Sequence, residues 1–411
     1  MVCTVPAMCA SRRVAGESGV LVAGSLVNGL AAYGFIALGT RWLGPDRFAP
    51  VAIVWVFWAF SAALLTFPIQ HWVIRQMELD GHSGGVRAAR GRVVLLAAAV
   101  ALGEGLVALL MRRTLFGDGS WAWPLLVAGV AAGAGFMGLL RGVLAGSGRY
   151  HAAALAIGGE NLLRLGAGAA LLAVERDPRL LAAALLTGPA VALLWPRALR
   201  LDLPAGPRPP TGLVGAAGGS VLLAQVVLNG GPPLLAALGG REAEVTALFA
   251  ALALFRAPYL VGLGLTVRAT APLTRRVAEG GRGSLGRPAL ATAGATLALA
   301  GALGAAAWPL GPPLIRALFG PGTSPSGAIA GATAAGCVLA LGGLALTVML
   351  IAAAARRALV LSWAAAVAAG AAVLAWGGAL EPGARVVAAF NAAEAVAVGS
   401  AAAALAAVRS D

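Results

Sequence analysis

The sequence has no lysine: all 30 basic residues are arginine. Without a lysine amine there is no P-loop nucleotide hydrolysis, no pyridoxal Schiff base and no retinal Schiff base. Charge of either sign is scarce, at 11% of 411 residues, against about 25% in soluble domains. The three cysteines (Cys3, Cys9, Cys337) are too few and too scattered for a disulfide framework or a zinc site. His71, His82 and His151 have no H-E-x-x-H spacing, and no two aspartates lie within four residues of each other. The latter removes the Asp-rich metal motifs of prenyl and sugar-nucleotide transferases. An enzyme is not expected, nor a metal or cofactor.

What is present is apolar length. Hydrophobic residues make up 60% of the chain, and a bilayer core needs about 20 of them in helical form. Twelve stretches qualify, near 19–40, 50–72, 93–111, 121–143, 152–174, 179–197, 213–236, 245–267, 288–310, 327–351, 358–379 and 384–407. The expected fold class is an all-α polytopic membrane protein with twelve transmembrane helices. With the N-terminus cytoplasmic, 18 arginines fall in cytoplasmic segments and nine on the opposite side. This positive-inside bias predicts both termini in the cytoplasm. It also accounts for the net charge of +14 through topology and anionic headgroups, with no nucleic acid as partner. The N-terminal S-R-R-V-A-G has a twin-arginine look, yet no A-x-A site follows, so it reads as an anchor.

A proline-rich segment, 201–212, separates six spans from six. The predicted organisation is an N-terminal six-helix bundle (1–200), a cytoplasmic linker (201–212) and a C-terminal six-helix bundle (213–411). Faint similarity supports the division: LVNGLAAYGFIALG in span 1 and VVLNGGPPLLAALGG in span 7 each hold an asparagine ahead of a glycine, Asn28 and Asn229. Six crossings restore the starting side, so the halves share one orientation, as in transporters built from parallel repeats. Glycines inside spans, such as Gly129 and Gly133, read as close helix packing. Pro68, Pro258 and the Gly-Pro-Pro runs at 231–233 and 311–313 are candidate bends, because proline frees a carbonyl. Trp42, Trp72, Trp121, Trp123, Trp195, Trp308 and Trp376 fall near span ends and read as interfacial anchors. Trp55 and Trp58 are lipid-facing or core.

The block RWLGPDRFAPVAIVWVFWAFSAALLTFPIQHWVIRQ resembles the start of bacterial lipid-linked oligosaccharide flippases. These belong to the multidrug/oligosaccharidyl-lipid/polysaccharide (MOP) exporter superfamily, whose R-x-L-G-P-x-x-F-G turn is matched at Arg41, Leu43, Gly44, Pro45 and Phe48, with Ala49 in place of the last glycine. LLRGVLAGSGRYHAAALAIGGENLLRL is similar to the superfamily's span 4–5 hairpin (Arg141, Gly142, Arg149, Tyr150), and ALFRAPYLVGLGLTVRATAPL to its span 8. The resemblance implies two six-helix bundles around a cavity that opens alternately to either side. It further implies a place in the bacterial cytoplasmic membrane. The substrate would be an undecaprenyl-diphosphate-linked oligosaccharide, or drug-like cations in the multidrug branch. Membrane lipids, a polysaccharide polymerase or glycosyltransferases would be partners.

Six ionisable residues fall within spans: Glu104, Arg141, Glu160, Arg164, Arg256 and Glu394. Each costs about 2.5–3.5 kcal/mol at mid-membrane on insertion scales, so each is expected to face protein or a wet cavity and to pair. Glu160 and Arg164, four apart, share a helix face; they are either a self-neutralising packing pair or part of a cavity wall, and Asn161 can extend the network. Arg141, about 11 Å deep beside Glu160 at about 17 Å, can bridge to it. Arg256 has no close acid on its own helix and precedes Pro258. It is either a diphosphate contact, since guanidinium matches phosphate oxygens, or the partner of Glu104 or Glu394. Glu394, three residues after Asn391, is either a coupling group or a neutraliser. Asn28 and Asn229 are packing donors or ligands.

The expected function is a flippase. Arg256, Arg141 and Arg164, with Glu160, Asn28 and Asn229, would line the substrate site, and Glu394, Glu104 and Pro258 would couple or gate. The alternatives are a cation-coupled multidrug exporter of the same superfamily and a non-transporting scaffold of a wall-synthesis complex.

Overall fold

The structure, a computed structural model, describes residues 5–80, 84–196 and 216–407. The 201–212 linker, and Arg197, Arg200, Arg208 and Arg409 of the topology count, lie outside them. Among the described residues every element is helical, with sixteen α-helices. Nine helices or continuous helical runs among the described residues are long and apolar enough to cross a membrane. The chain is a multi-pass membrane protein of all-α fold.

The described part of each of the twelve expected spans is helical, and the three outside those nine runs each carry a breaker. The 179–197 span is a short helix α8 (Pro178–Ala184) that tightens into 3-10 geometry over Leu185–Leu194, with Pro189 inside it. The 213–236 span divides at Gly230 into α9 (Ala216–Asn229) and α10 (Gly231–Ala237), because Pro232 and Pro233 suit a helix start and not a helix interior. The 245–267 span divides at Arg256 into α11 (Glu242–Phe255) and α12 (Ala257–Gly280), with Pro258 in the first turn. Pro68 bends nothing sharply: α2 (Pro45–Ser61) passes through a π-helical turn at Ala62–Thr66 into α3 (Phe67–Asp80). The wider turn stands where the ring removes a backbone donor. The 311–313 run does not break its helix, which extends from Gly286 to Phe319.

The chain forms two compact units, Met1–Trp42 with Phe57–Leu213, and Leu43–Val56 with Val214–Asp411. In the first, α1 (Val5–Leu43), α3, α4 (Gly84–Leu110), α6 (Ala122–Gly146) and α7 (Tyr150–Val174) supply the long helices. Glycine allows their close approach. A Cβ on Gly24 would stand 2.6 Å from the Ala154 carbonyl, and on Gly129 and Gly133 it would stand 2.7 and 2.8 Å from Leu186 and Pro189. The packing role expected of the last two is what they have. The loop before α6 is tied by Asp118, which accepts from Ser120 N (2.9 Å), Trp123 Nε1 (2.9 Å) and Arg179 Nη2 (2.6 Å). Trp123 is therefore buried and stacked on Phe116 instead of lying in the interface, while Trp121, Trp308 and Trp376 are exposed as expected of anchors.

In the second unit α13 (Gly286–Phe319), α14 (Gly327–Ala352), α15 (Arg356–Trp376) and α16 (Pro382–Ala407) pack around Leu285, Leu346, Leu350, Trp363, Val398 and Leu405. The start of α2 belongs to this unit: Phe48 meets Phe249, and Thr246 Oγ1 donates to the Pro45 carbonyl at 2.6 Å. Trp55, in the same stretch, is core.

Candidate functional site

The first unit buries an ionic cluster where α6, α7 and the 3-10 segment meet. Arg141 reaches Glu160 Oε2, as its depth allows, and Arg164 Nη2 lies 2.5 Å from Glu160 Oε1. Each carboxylate oxygen thus receives one guanidinium. Arg164 also donates from Nη1 to Asn161 Oδ1 (2.9 Å) and from Nε to the Leu185 carbonyl (3.0 Å), and its flat face covers the Trp58 ring at 4.4 Å. Asn161 in turn donates to the Asn28 backbone carbonyl at 3.2 Å, so of Asn28 it is the main chain that joins this network. Gly188 makes room: a Cβ there would stand 2.7 Å from both Arg164 Nε and Glu160 Cγ. Glu160, Asn161 and Arg164 are each 2% exposed. Two guanidiniums against one carboxylate leave the cluster cationic, and Arg141 Nε is buried with no hydrogen bond. Elsewhere in this unit Glu104 Oε2 lies 2.7 Å from Ser61 Oγ, at the start of the π-helical turn, and its Oε1 is buried without a partner.

The second unit holds a different arrangement. Half-buried Arg256 caps α11 and opens α12, its N–H still bonded to the Leu252 carbonyl at 3.0 Å. Its side chain donates to Asn229 Oδ1 at the end of α9. Asn229 Nδ2 donates to Gln225 Oε1 at 2.9 Å, and Gln225 Nε2 donates to Tyr259 Oη at 3.2 Å. Gln225 and Tyr259 line a chamber of about 50 Å³ together with Thr347, Trp363 and Glu394. That is room for a few waters. Glu394 is 1% exposed, and its Oε2 has no hydrogen-bond partner among the described residues. Asn391 does not support it, donating instead to the Ala332 and Val387 carbonyls, both at 2.9 Å.

Arg141, Glu160 and Arg164 are thus brought together, with Asn28 alongside through its backbone. Arg256 and Asn229 are brought together in the other unit, with Pro258 directly before Tyr259, which lines the chamber. Among the described residues, Glu104 hydrogen-bonds Ser61 and Glu394 faces the chamber. Gln225 and Tyr259 escaped the sequence reading. Their signal was spacing: Gln225 lies four residues before Asn229, and Tyr259 three after Arg256, which places each pair on one helix face.

Solved structures share this fold over nearly the full chain. An inward-facing multidrug resistance transporter of the MATE family, within the MOP superfamily, is 15% identical over 94% of this chain and 98% of its own, with a TM-score of 0.64. The bent form of the Vibrio cholerae MATE transporter VcmN is 13% identical over 95% and 96%, with a TM-score of 0.52. The eukaryotic MATE transporter AtDTX14 is 12% identical over 96% and 98%, with a TM-score of 0.56. At such identities the likeness is one of fold. No protein-family model and no curated protein matches the sequence.

Proposed function

We propose that this chain moves a polyprenyl-diphosphate-linked oligosaccharide from the inner to the outer leaflet by alternating access. The observation that carries the reading is Arg256: a half-buried guanidinium at a break in a membrane-spanning segment, held by a neutral amide. Such a group keeps its charge at any relevant pH and presents paired N–H donors to phosphate oxygens. Arg141 belongs to the Glu160 cluster of the other unit. Arg164, turned onto Glu160, Asn161 and Leu185, positions that cluster. No nucleotide motif supplies energy. An inside-negative potential favours outward movement of an anion by about 2.3 kcal/mol per charge per 100 mV, which suits a diphosphate. Glu394 and Glu104 are the coupling groups of this reading, and the Arg256–Pro258 break is its hinge.

A second reading, a cation-coupled multidrug exporter, is favoured by the multidrug resistance transporters among the structures of the same fold. Arg256→Ala and Glu394→Gln separate the two in the producing bacterium. Loss of surface polysaccharide with unchanged drug tolerance supports the flippase. Altered drug tolerance with intact polysaccharide overturns it in favour of the exporter. Neither effect leaves a scaffold and sinks both.

A further inference from the structure

The hydrogen bonds of the second unit run in a single direction. Arg256 donates to Asn229, Asn229 to Gln225 and Gln225 to Tyr259. Each amide accepts on its oxygen and passes a donor onward from its nitrogen. Tyr259 Oη has therefore already accepted, and its own proton is left to donate into the chamber that Glu394 lines. Head-to-tail chains of this kind polarise cooperatively. A negative charge in the chamber draws the tyrosine proton, which makes each upstream oxygen a better acceptor, ending at the Asn229 oxygen that holds Arg256.

We propose that Gln225 and Tyr259 are positioning residues that link occupancy of Arg256 by a phosphate-bearing ligand to the state of Glu394. An ionised Glu394 tightens Asn229 on Arg256 and makes the guanidinium costlier to turn toward a ligand. Neutralising Glu394 slackens the chain and lowers that cost. By reciprocity, a diphosphate that takes the guanidinium removes the charged donor at the head of the chain and favours neutralisation at its foot, by a proton drawn from water. The device connects Arg256, half-buried at a helix break, with a carboxylate that is 1% exposed. Neither needs to move far. The ionisable groups facing Glu394 are Tyr259 from α12, Cys337 from α14 and, within electrostatic reach of Cys337, Arg256. The chamber residues on α9 and α15, Gln225 and Trp363, bring none.

This inference rests on Arg256 being the anion site, and the test separates the two. The purified full chain in detergent is titrated with farnesyl diphosphate, a short prenyl diphosphate probe, and Kd is measured for a double-mutant cycle. In the otherwise natural chain Glu394→Gln is expected to tighten binding about tenfold, within the usual range of coupled sites. With Gln225→Leu the same change is expected to shift Kd by less than about twofold, the through-space remainder. Tyr259→Phe, which keeps the ring and deletes only the hydroxyl, is expected to uncouple equally and carries the test if Gln225→Leu does not fold. An equal Glu394→Gln effect in every background, or none in the natural chain, overturns the relay and leaves the anion site standing. Binding indifferent to Arg256→Ala overturns the anion site and the relay with it.

Discussion

The two units solve the problem of a buried guanidinium in opposite ways. In the first, Arg141 and Arg164 converge on Glu160, and Arg164 is further fixed by Asn161, Leu185 and Trp58. In the second, Arg256 is joined to a neutral amide, and the nearby carboxylate Glu394 carries a buried oxygen without a hydrogen bond among the described residues. A carboxylate beside an arginine consumes its charge and locks its geometry. An amide holds the geometry and adds no charge of its own. The same residue type therefore meets a carboxylate in one unit and an amide in the other.

The contrast breaks most visibly at the carboxylates. Glu160→Gln is expected to destabilise the protein by about 3–5 kcal/mol, because it leaves two guanidiniums buried without a counter-charge. Glu394→Gln, which removes a carboxylate lacking a full set of partners, is expected to hold or raise the melting temperature. Thermal unfolding of both variants in one detergent checks the pair, and equal losses would erase the distinction. Next in size is Arg256→Ala. It is expected to weaken farnesyl diphosphate binding at least tenfold, about 1.4 kcal/mol, while stability falls by less than in Glu160→Gln. Titration and melting of the same preparation separate those effects.

Gly188→Ala sharpens the first side of the comparison. Its Cβ would press on Arg164 and Glu160 at 2.7 Å, and overpacking of this kind costs about 1–3 kcal/mol. A variant as stable as the natural chain would mean that the cluster is looser than its geometry implies. The smallest effect belongs to Asp118. Burial works to raise its carboxyl, but the Ser120 N–H, Arg179 and Trp123 outweigh it and hold it below the ordinary aspartate value of 3.8. A depressed carboxyl stabilises above its unfolded value and loses that contribution as pH falls through the folded one. Asp118→Asn is therefore expected to cost less than about 1 kcal/mol at neutral pH, as exposed pairs do. The difference from the natural chain should shrink in acid melts below the unfolded value and vanish below the folded one.

Much of the fold was legible in the residues. The described part of every expected span is helical, and the three outside the nine membrane-length runs depart from a single α-helix at Pro189, Gly230 and Arg256, next to residues that unsettle helical geometry. The Arg141–Glu160–Arg164 association was also legible, because a short hairpin and an i,i+4 spacing leave few alternatives. The Arg256–Asn229 contact was not: Asn229 lies on another helix, and no spacing within one helix points to it. Trp123 was misread for a related reason. Its position at a span end marks an interface, but Asp118 and Phe116 draw it inward.

Hydropathy is a sum over neighbouring residues, so the sequence by itself determined that the chain has many helices able to cross a membrane. Which amide meets which guanidinium depends on how far each helix is rotated and shifted against another. Only tertiary packing decides that, and here it set Asn229, Gln225 and Tyr259 in line between Arg256 and the Glu394 chamber.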